Sequence, residues 1–186
     1  MDEPQIHVEN LAGFLLGAHP GLLDPNFKQS VILLSAHNLE DGALGVIINR
    51  PTGKSLGGLR EDLDTPLLRN LAVYEGGPVA TDDILLVAWN WDLSRKNFRL
   101  YFGLEPTALQ ELIDSDPTIE ARAFLGYSGW STGQLENELS RSDWAIGSFV
   151  QPFGKMPPQN LWRGLLDAVR PEWGIIADSP DDPSVN

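Results

Sequence analysis

The amino-acid sequence predicts an α+β domain, a bent and mostly antiparallel sheet with helices against it. Short runs of β-branched or aromatic residues recur along the chain, each bounded by Gly, Pro, Asn or Asp. Two of them, 31–36 and 43–49, are separated only by His37 to Gly42, the spacing of an antiparallel hairpin with a longer loop. Helical periodicity with terminal signals occurs in three segments, placed irregularly among the strands, the pattern of an α+β fold.

In chain order, strands are expected at 12–18, 31–36, 43–49, 71–75, 84–89 and 98–102. The runs 31–36 and 43–49 are nearly continuous in apolar character, so both of their faces are expected to be buried. Thr107 and Gln110 then fit a capping box ahead of Leu109, Leu112 and Ile113, with Asp116 and Pro117 as the stop. A strand follows at 122–127. Ser131 and Gln134 fit a second capping box, with Leu135 and Leu139 on one face. After a strand at 144–149, a helix over Asn160 to Arg170 aligns Leu161, Leu165 and Val169 and ends at Pro171. A last strand is expected at 173–177.

A chain of 186 residues suits one domain with a core that needs no staple. No repeat or linker divides it, so residues 1–186 are read as a single domain with an acidic, Pro-rich tail at 179–186. Cysteine is absent, which removes disulfides, thiolate catalysis and cysteine metal sites. The first ten residues have no basic n-region and no apolar run behind them, and no stretch approaches the roughly 18 residues of a spanning helix. A cytoplasmic protein without a membrane association is expected. The net charge of −13 and the scattered Lys and Arg residues oppose direct binding to a phosphate backbone.

The near-motifs for catalysis each fail at a particular residue. Gly53, Lys54 and Ser55 end like a P-loop, but Ile48 stands where its first glycine belongs and Pro51 interrupts the loop. Gly126, Tyr127, Ser128, Gly129 and Trp130 approach a nucleophile elbow, yet Trp130 replaces its last glycine and no histidine follows Ser128. The three histidines, His7, His19 and His37, have no metal-binding spacing. Glu136 and Glu138, two apart on a helix, face different ways and form no acid/base pair. His37 and Asn38 close a strand where loops carry function. Arg50 could clamp a carboxylate or phosphate. Trp89 and Trp91 share a strand face and read as core or as a stacking pair.

The polar packets of the chain also form a series: Leu23 to Phe27, His37 to Gly42, Gly45 to Pro51, Gly76 to Pro78, Gly126 to Trp130 and Gly133 to Glu136. The series resembles the AlgH/YqgE family of bacterial proteins, in register from about Gly13 to Trp162. The resemblance implies a sheet closing partly into a barrel, a family with no established activity, and members described as transcriptional regulators. The tail also resembles an ending found in part of that family. The function expected is a non-catalytic binding or regulatory module, any transcriptional effect being indirect. The alternative is a hydrolase of a phosphorylated or acyl metabolite using His37, Arg50 and Ser128. The candidate ligand or partner surface comprises His37, Asn38, Asn49, Arg50, Tyr127, Ser128 and Gln134. No cofactor, metal or catalytic residue is assigned. The partner is expected to be a protein or small molecule, and the chain a monomer or weak dimer.

Overall fold

The computed structural model describes residues 10–63, 65–92 and 97–178; the tail at 179–186 lies outside them. The strands are β1 (Phe14–Ala18), β2 (Val31–Asn38), β3 (Gly42–Ile47), β4 (Pro51–Ser55), β5 (Ala72–Glu75), β6 (Val79–Asp92), β7 (Asn97–Phe102), β8 (Glu120–Trp130) and β9 (Trp144–Ser148). The helices are α1 (Leu56–Leu59), α2 (Pro106–Ser115), α3 (Gln134–Ser140), α4 (Gln151–Lys155), α5 (Pro158–Val169) and α6 (Pro171–Ala177). The class is α+β, and the sheet is antiparallel except where β5 runs parallel to β8.

One long strand organises the sheet. The order is β4-β5-β8-β3-β2-β1-β9, with β6 on β8 and β7 on β6. Along one side, β8 pairs with β5 through Ala123 to Leu125 and then with β3 through Ser128 to Trp130. Along the other side it pairs with β6. Between its two halves sits Gly126 at φ +66°, and there the chain leaving β5 crosses it. The Gly76 amide donates to Leu125 O at 2.8 Å, and the Gly76 carbonyl accepts from the Ile47 amide at 2.9 Å. Three strands are thereby joined at one residue.

The strand faces sort into three cores. Along β2, Val31 and Leu33 enter the central core while Ile32 and Leu34 enter a second one. Along β6, Val87 and Trp89 share that central core while Leu86 and Ala88 enter a third, beneath Leu109 of α2. The apolar runs are continuous because each strand divides its side chains between two cores. Trp89 and Trp91 do share a face. They pack with Phe98 and Phe149, and the Trp91 indole donates to Phe149 O at 3.0 Å, so this pair is core.

Arg122 of β8 ties together β5, β6 and the end of β3. Its guanidinium lies 4.6 Å from the Tyr74 ring centre and 5.1 Å from that of Trp89, and it donates to Ile48 O at 3.0 Å. Burial pushes its pKa below the usual arginine value.

The sheet does not close: among the described residues β4, β7 and β9 each pair with a single neighbour. The central core is completed by Phe149, Phe153, Leu161, Trp162, Leu165, Leu166 and Trp173, from α4 to α6 and the turn before them. The segment 173–177 is helical rather than extended. Pro171 occupies the first turn of α6, where its fixed φ favours a helix, and an apolar run this short does not distinguish strand from helix. The first capping box also fails. Helix α2 starts at Pro106 with Glu105 as N-cap and no side-chain cap bond, which leaves Thr107 inside the helix. Strand β4 and helices α1 and α4 have no counterpart among the expected elements.

The crossing generates a paired prediction. A Cβ on Gly126 would lie 2.6 Å from Val79 O and 2.7 Å from Gly77 O, whereas Gly103, also at φ +66°, has nothing within 4 Å. Both alanine variants bear the left-handed backbone cost of about 1–2 kcal/mol. Gly126→Ala adds a backbone clash and is expected to lose at least about 2 kcal/mol more than Gly103→Ala in urea denaturation. Equal losses would show that the crossing can relax.

Candidate functional site

The two ends of β3 carry different arrangements. At the hairpin end, His37 is buried, with its side chain 2% exposed. Its Nδ1 accepts the Leu11 amide at 3.1 Å, and Nε2 lies 2.7 Å from Glu136 Oε1. Because Nδ1 is used as an acceptor, the proton sits on Nε2 and is donated to Glu136. Both ring nitrogens are therefore occupied. Asn38 Oδ1 accepts the amides of Glu40 and Asp41, and its Nδ2 donates to Asp41 Oδ2, which folds the turn onto itself.

Helix α3 is held against the same end by its carboxylates. Glu138 Oε2 accepts the indoles of Trp130 and Trp144, both at 2.8 Å, and Oε1 accepts Gln134 Nε2 at 2.9 Å. Gln134 Oε1 in turn accepts from the Ser131 amide and hydroxyl. The helix itself begins after Gly133, without a side-chain cap bond, so Ser131 and Gln134 meet as half of a capping box. Trp130 and Trp144 anchor this helix; Trp162 packs in the central core and donates to Ala18 O. Beside them runs an open groove of about 500 Å³ lined by Asn38, Leu44, Val79, Tyr127 and Gly129.

Ser128 lies within β8 rather than on a strand-to-helix turn. It is fully buried, and its hydroxyl donates to Gly76 O at 3.2 Å, the carbonyl that already accepts Ile47. Neither His19 nor His37 bonds to it. Gly53, Lys54 and Ser55 lie in the edge strand β4, where the Lys54 amide donates to Thr52 Oγ1 and forms no phosphate cradle.

Beyond the far end of β3 lie Asn49 and Arg50. Asn49 accepts the Val31 amide and donates to Gln29 O, fixing the entry to β2. Arg50 donates to Asn26 O at 2.8 Å and Lys28 O at 2.9 Å. It opens onto a second cavity of about 290 Å³, lined by Asn26, Ile47, Arg50, Glu75, Gly77, Pro78, Thr81 and Leu125. Three of the sequence packets, 23–27, 45–51 and 76–78, meet here. The structure thus brings Asn38 and Tyr127 to one concavity and Arg50 to another, while His37, Asn49, Ser128 and Gln134 are engaged in hydrogen bonds that hold the scaffold. Asn26, Glu75 and Thr81 were not singled out from the sequence. Asn26 and Gly77 belong to packets visible in the sequence, but nothing there marks Glu75 or Thr81.

The carboxylate clamp yields a test. Glu138→Ala leaves two buried indole N–H groups without an acceptor and is expected to cost about 2–4 kcal/mol. Glu138→Gln keeps an acceptor oxygen and should cost about half as much or less. Chemical denaturation followed by tryptophan fluorescence measures both, and indistinguishable losses would argue against the clamp.

Comparison with known proteins agrees with this architecture. The AlgH-like family model matches residues 15–173. A UPF0301 protein of Streptomyces coelicolor is 38% identical, over 96% of this chain and 97% of its own length. A UPF0301 protein of Chlorobaculum tepidum is 33% identical, over 94% and 95%. Among solved structures, the AlgH protein of Pseudomonas aeruginosa superposes with a TM-score of 0.65 at 25% identity and covers 98% of both chains. Protein DIP2367 of Corynebacterium diphtheriae gives 0.67 at 21% identity, covering 96% of this chain and 94% of that one, a likeness of fold. With the family model spanning most of the chain and the strands crossing as described, this chain belongs to the AlgH-like family of UPF0301 proteins.

Proposed function

We propose that this chain is a non-catalytic binding module of the cytoplasm, a monomer or weak dimer, whose ligand site is the cavity beside Arg50. The observation that carries the reading is that a guanidinium fixed by two main-chain carbonyls faces a cavity with no carboxylate bound to it among the described residues. A fixed, half-buried arginine is a preorganised receptor for an anionic group. The polar residues that a hydrolase would need are engaged elsewhere: Ser128 on Gly76 O, and His37 on Leu11 and Glu136.

Any regulatory effect follows from what the module binds. Several of its cations lie beside acids, as in Arg60 with Asp62, Arg141 with Asp143, and Arg163 with Asp167 and Asp178. Together with a net charge of −13, this opposes a phosphate-binding face, so an effect on transcription is indirect. No helix of the described residues is long and apolar enough to cross a membrane.

A thermal-shift screen of the full chain against a metabolite library tests the reading. A ligand at about 100 times its Kd stabilises by roughly 2.7 kcal/mol, which for a chain of this size raises Tm by about 5–10 °C. The shift is expected to vanish in Arg50→Gln. A ligand whose effect survives that substitution but is lost in Tyr127→Ala would move the site to the other groove. Fluorophosphonate probes are expected to leave Ser128 unlabelled, and stoichiometric labelling lost in Ser128→Ala would establish the hydrolase instead. Duplex DNA should not be shifted in a gel at moderate salt, and a salt-sensitive submicromolar complex would overturn the indirect role.

A further inference from the structure

The Arg50 cavity carries charges of both signs that are not paired with each other. Arg50 spends two of its five N–H donors on Asn26 O and Lys28 O and keeps the others. Glu75 is exposed at the same cavity, and its carboxylate has no hydrogen bond or ion pair among the described residues. Its backbone is nevertheless fixed, since the Glu75 amide donates to Arg50 O at 2.9 Å and the residue pairs with Leu125 of β8. The two charged residues are thus held side by side, Glu75 at the end of β5 and Arg50 in the connection between β3 and β4. Thr81 adds a polar residue to the lining, while Ile47, Leu125 and Pro78 supply apolar wall.

Resting on the binding reading above, we propose that this cavity takes a small zwitterion, an α-amino acid with its carboxylate and ammonium both free. The carboxylate pairs with the Arg50 guanidinium, the ammonium with Glu75, and the side chain lies against Ile47, Leu125 and Pro78. Size limits the ligand. At about 290 Å³ the cavity stands at the lower end of the roughly 300–1,000 Å³ of small-molecule sites, which suits an amino acid and not a dinucleotide. Charge selects among small ligands. Phosphate or a dicarboxylate would bring a second negative charge towards Glu75 and into the field of a protein of net charge −13, whereas a zwitterion meets no net repulsion.

Isothermal titration calorimetry of the full chain with the neutral α-amino acids, taken singly, tests this. The controls are the matching acid without its amine, the matching amine without its acid, succinate and inorganic phosphate. At least one amino acid is expected to bind with millimolar or better affinity, and its two truncated analogues about tenfold or more weaker. Glu75→Gln is the decisive variant, because Glu75 is exposed and its side chain bonds to no other element among the described residues. It is expected to keep the wild-type melting temperature and to weaken the amino acid about tenfold. Arg50→Lys should weaken it too, with circular dichroism reporting whether the turn at 26–28 is kept. No binding by any amino acid, or binding unchanged in Glu75→Gln, overturns the proposal. Tighter binding of succinate or phosphate that depends on Arg50 also overturns it, but leaves the binding module standing. Ligands indifferent to both substitutions would remove the cavity as the site.

Discussion

The chain leaving β5 crosses β8 so closely that a side chain at Gly76 or Gly77 would run into the backbone of Gly126 or Tyr127. The rest of the fold depends on this contact. It allows one strand to pair with β5 in its first half and with β3 in its second, with β6 along the other side. The carbonyl of Gly76 takes one hydrogen bond from a β3 amide and another from the Ser128 hydroxyl, so a buried polar group at the centre of the molecule is satisfied twice. A serine in a sequence that approaches a nucleophile elbow thus has a scaffolding partner. The same crossing places Gly77 and Pro78 over the end of β3, where they wall the cavity beside Arg50.

The two ends of β3 differ in how their polar groups are used. At the hairpin end, the side chains of His37, Glu136, Glu138 and Gln134 are bonded to one another or to buried indoles and amides. Such a network fixes α3 over the second core and costs little only because its members are satisfied. At the other end, among the described residues, Arg50 retains donors and Glu75 a carboxylate without a partner, both lining a cavity. Leftover hydrogen-bonding capacity on a fixed backbone, rather than the mere presence of polar residues, is what separates the proposed receptor from the scaffold.

Much of the sheet could be read from the sequence because its strands are dense in β-branched and aromatic residues. The unbroken apolar runs of β2 and β3 announced two-sided burial, which the division of Val31 to Leu34 between two cores realises. Strand β4 was invisible because Pro51 to Ser55 is polar and lies at an edge with little burial, so no period-2 signal arises. The segment 173–177 misled because a five-residue apolar run reads alike as strand or helix. For the site, Arg50 stood out as a cation beside a proline at the end of a buried strand. Glu75 did not, since it comes from β5 and reaches Arg50 through the strand pairing of β5 with β4 on one side and β8 on the other, long-range contacts that local pattern does not encode. His37 could be seen as special, but whether it served chemistry or scaffold depended on Leu11 and Glu136, 26 and 99 residues away.

The most direct test of the Arg50 cavity as a receptor is a nitrogen-15 NMR titration of the full chain with a mixture of neutral α-amino acids, following backbone amides and the arginine side-chain N–H signals together. Saturable shifts at Arg50, Glu75, Gly77 and Thr81, with Asn38 and Gly129 unmoved, are the result expected. Shifts confined to Asn38, Tyr127 and Gly129, or no saturable shift at all, would contradict it.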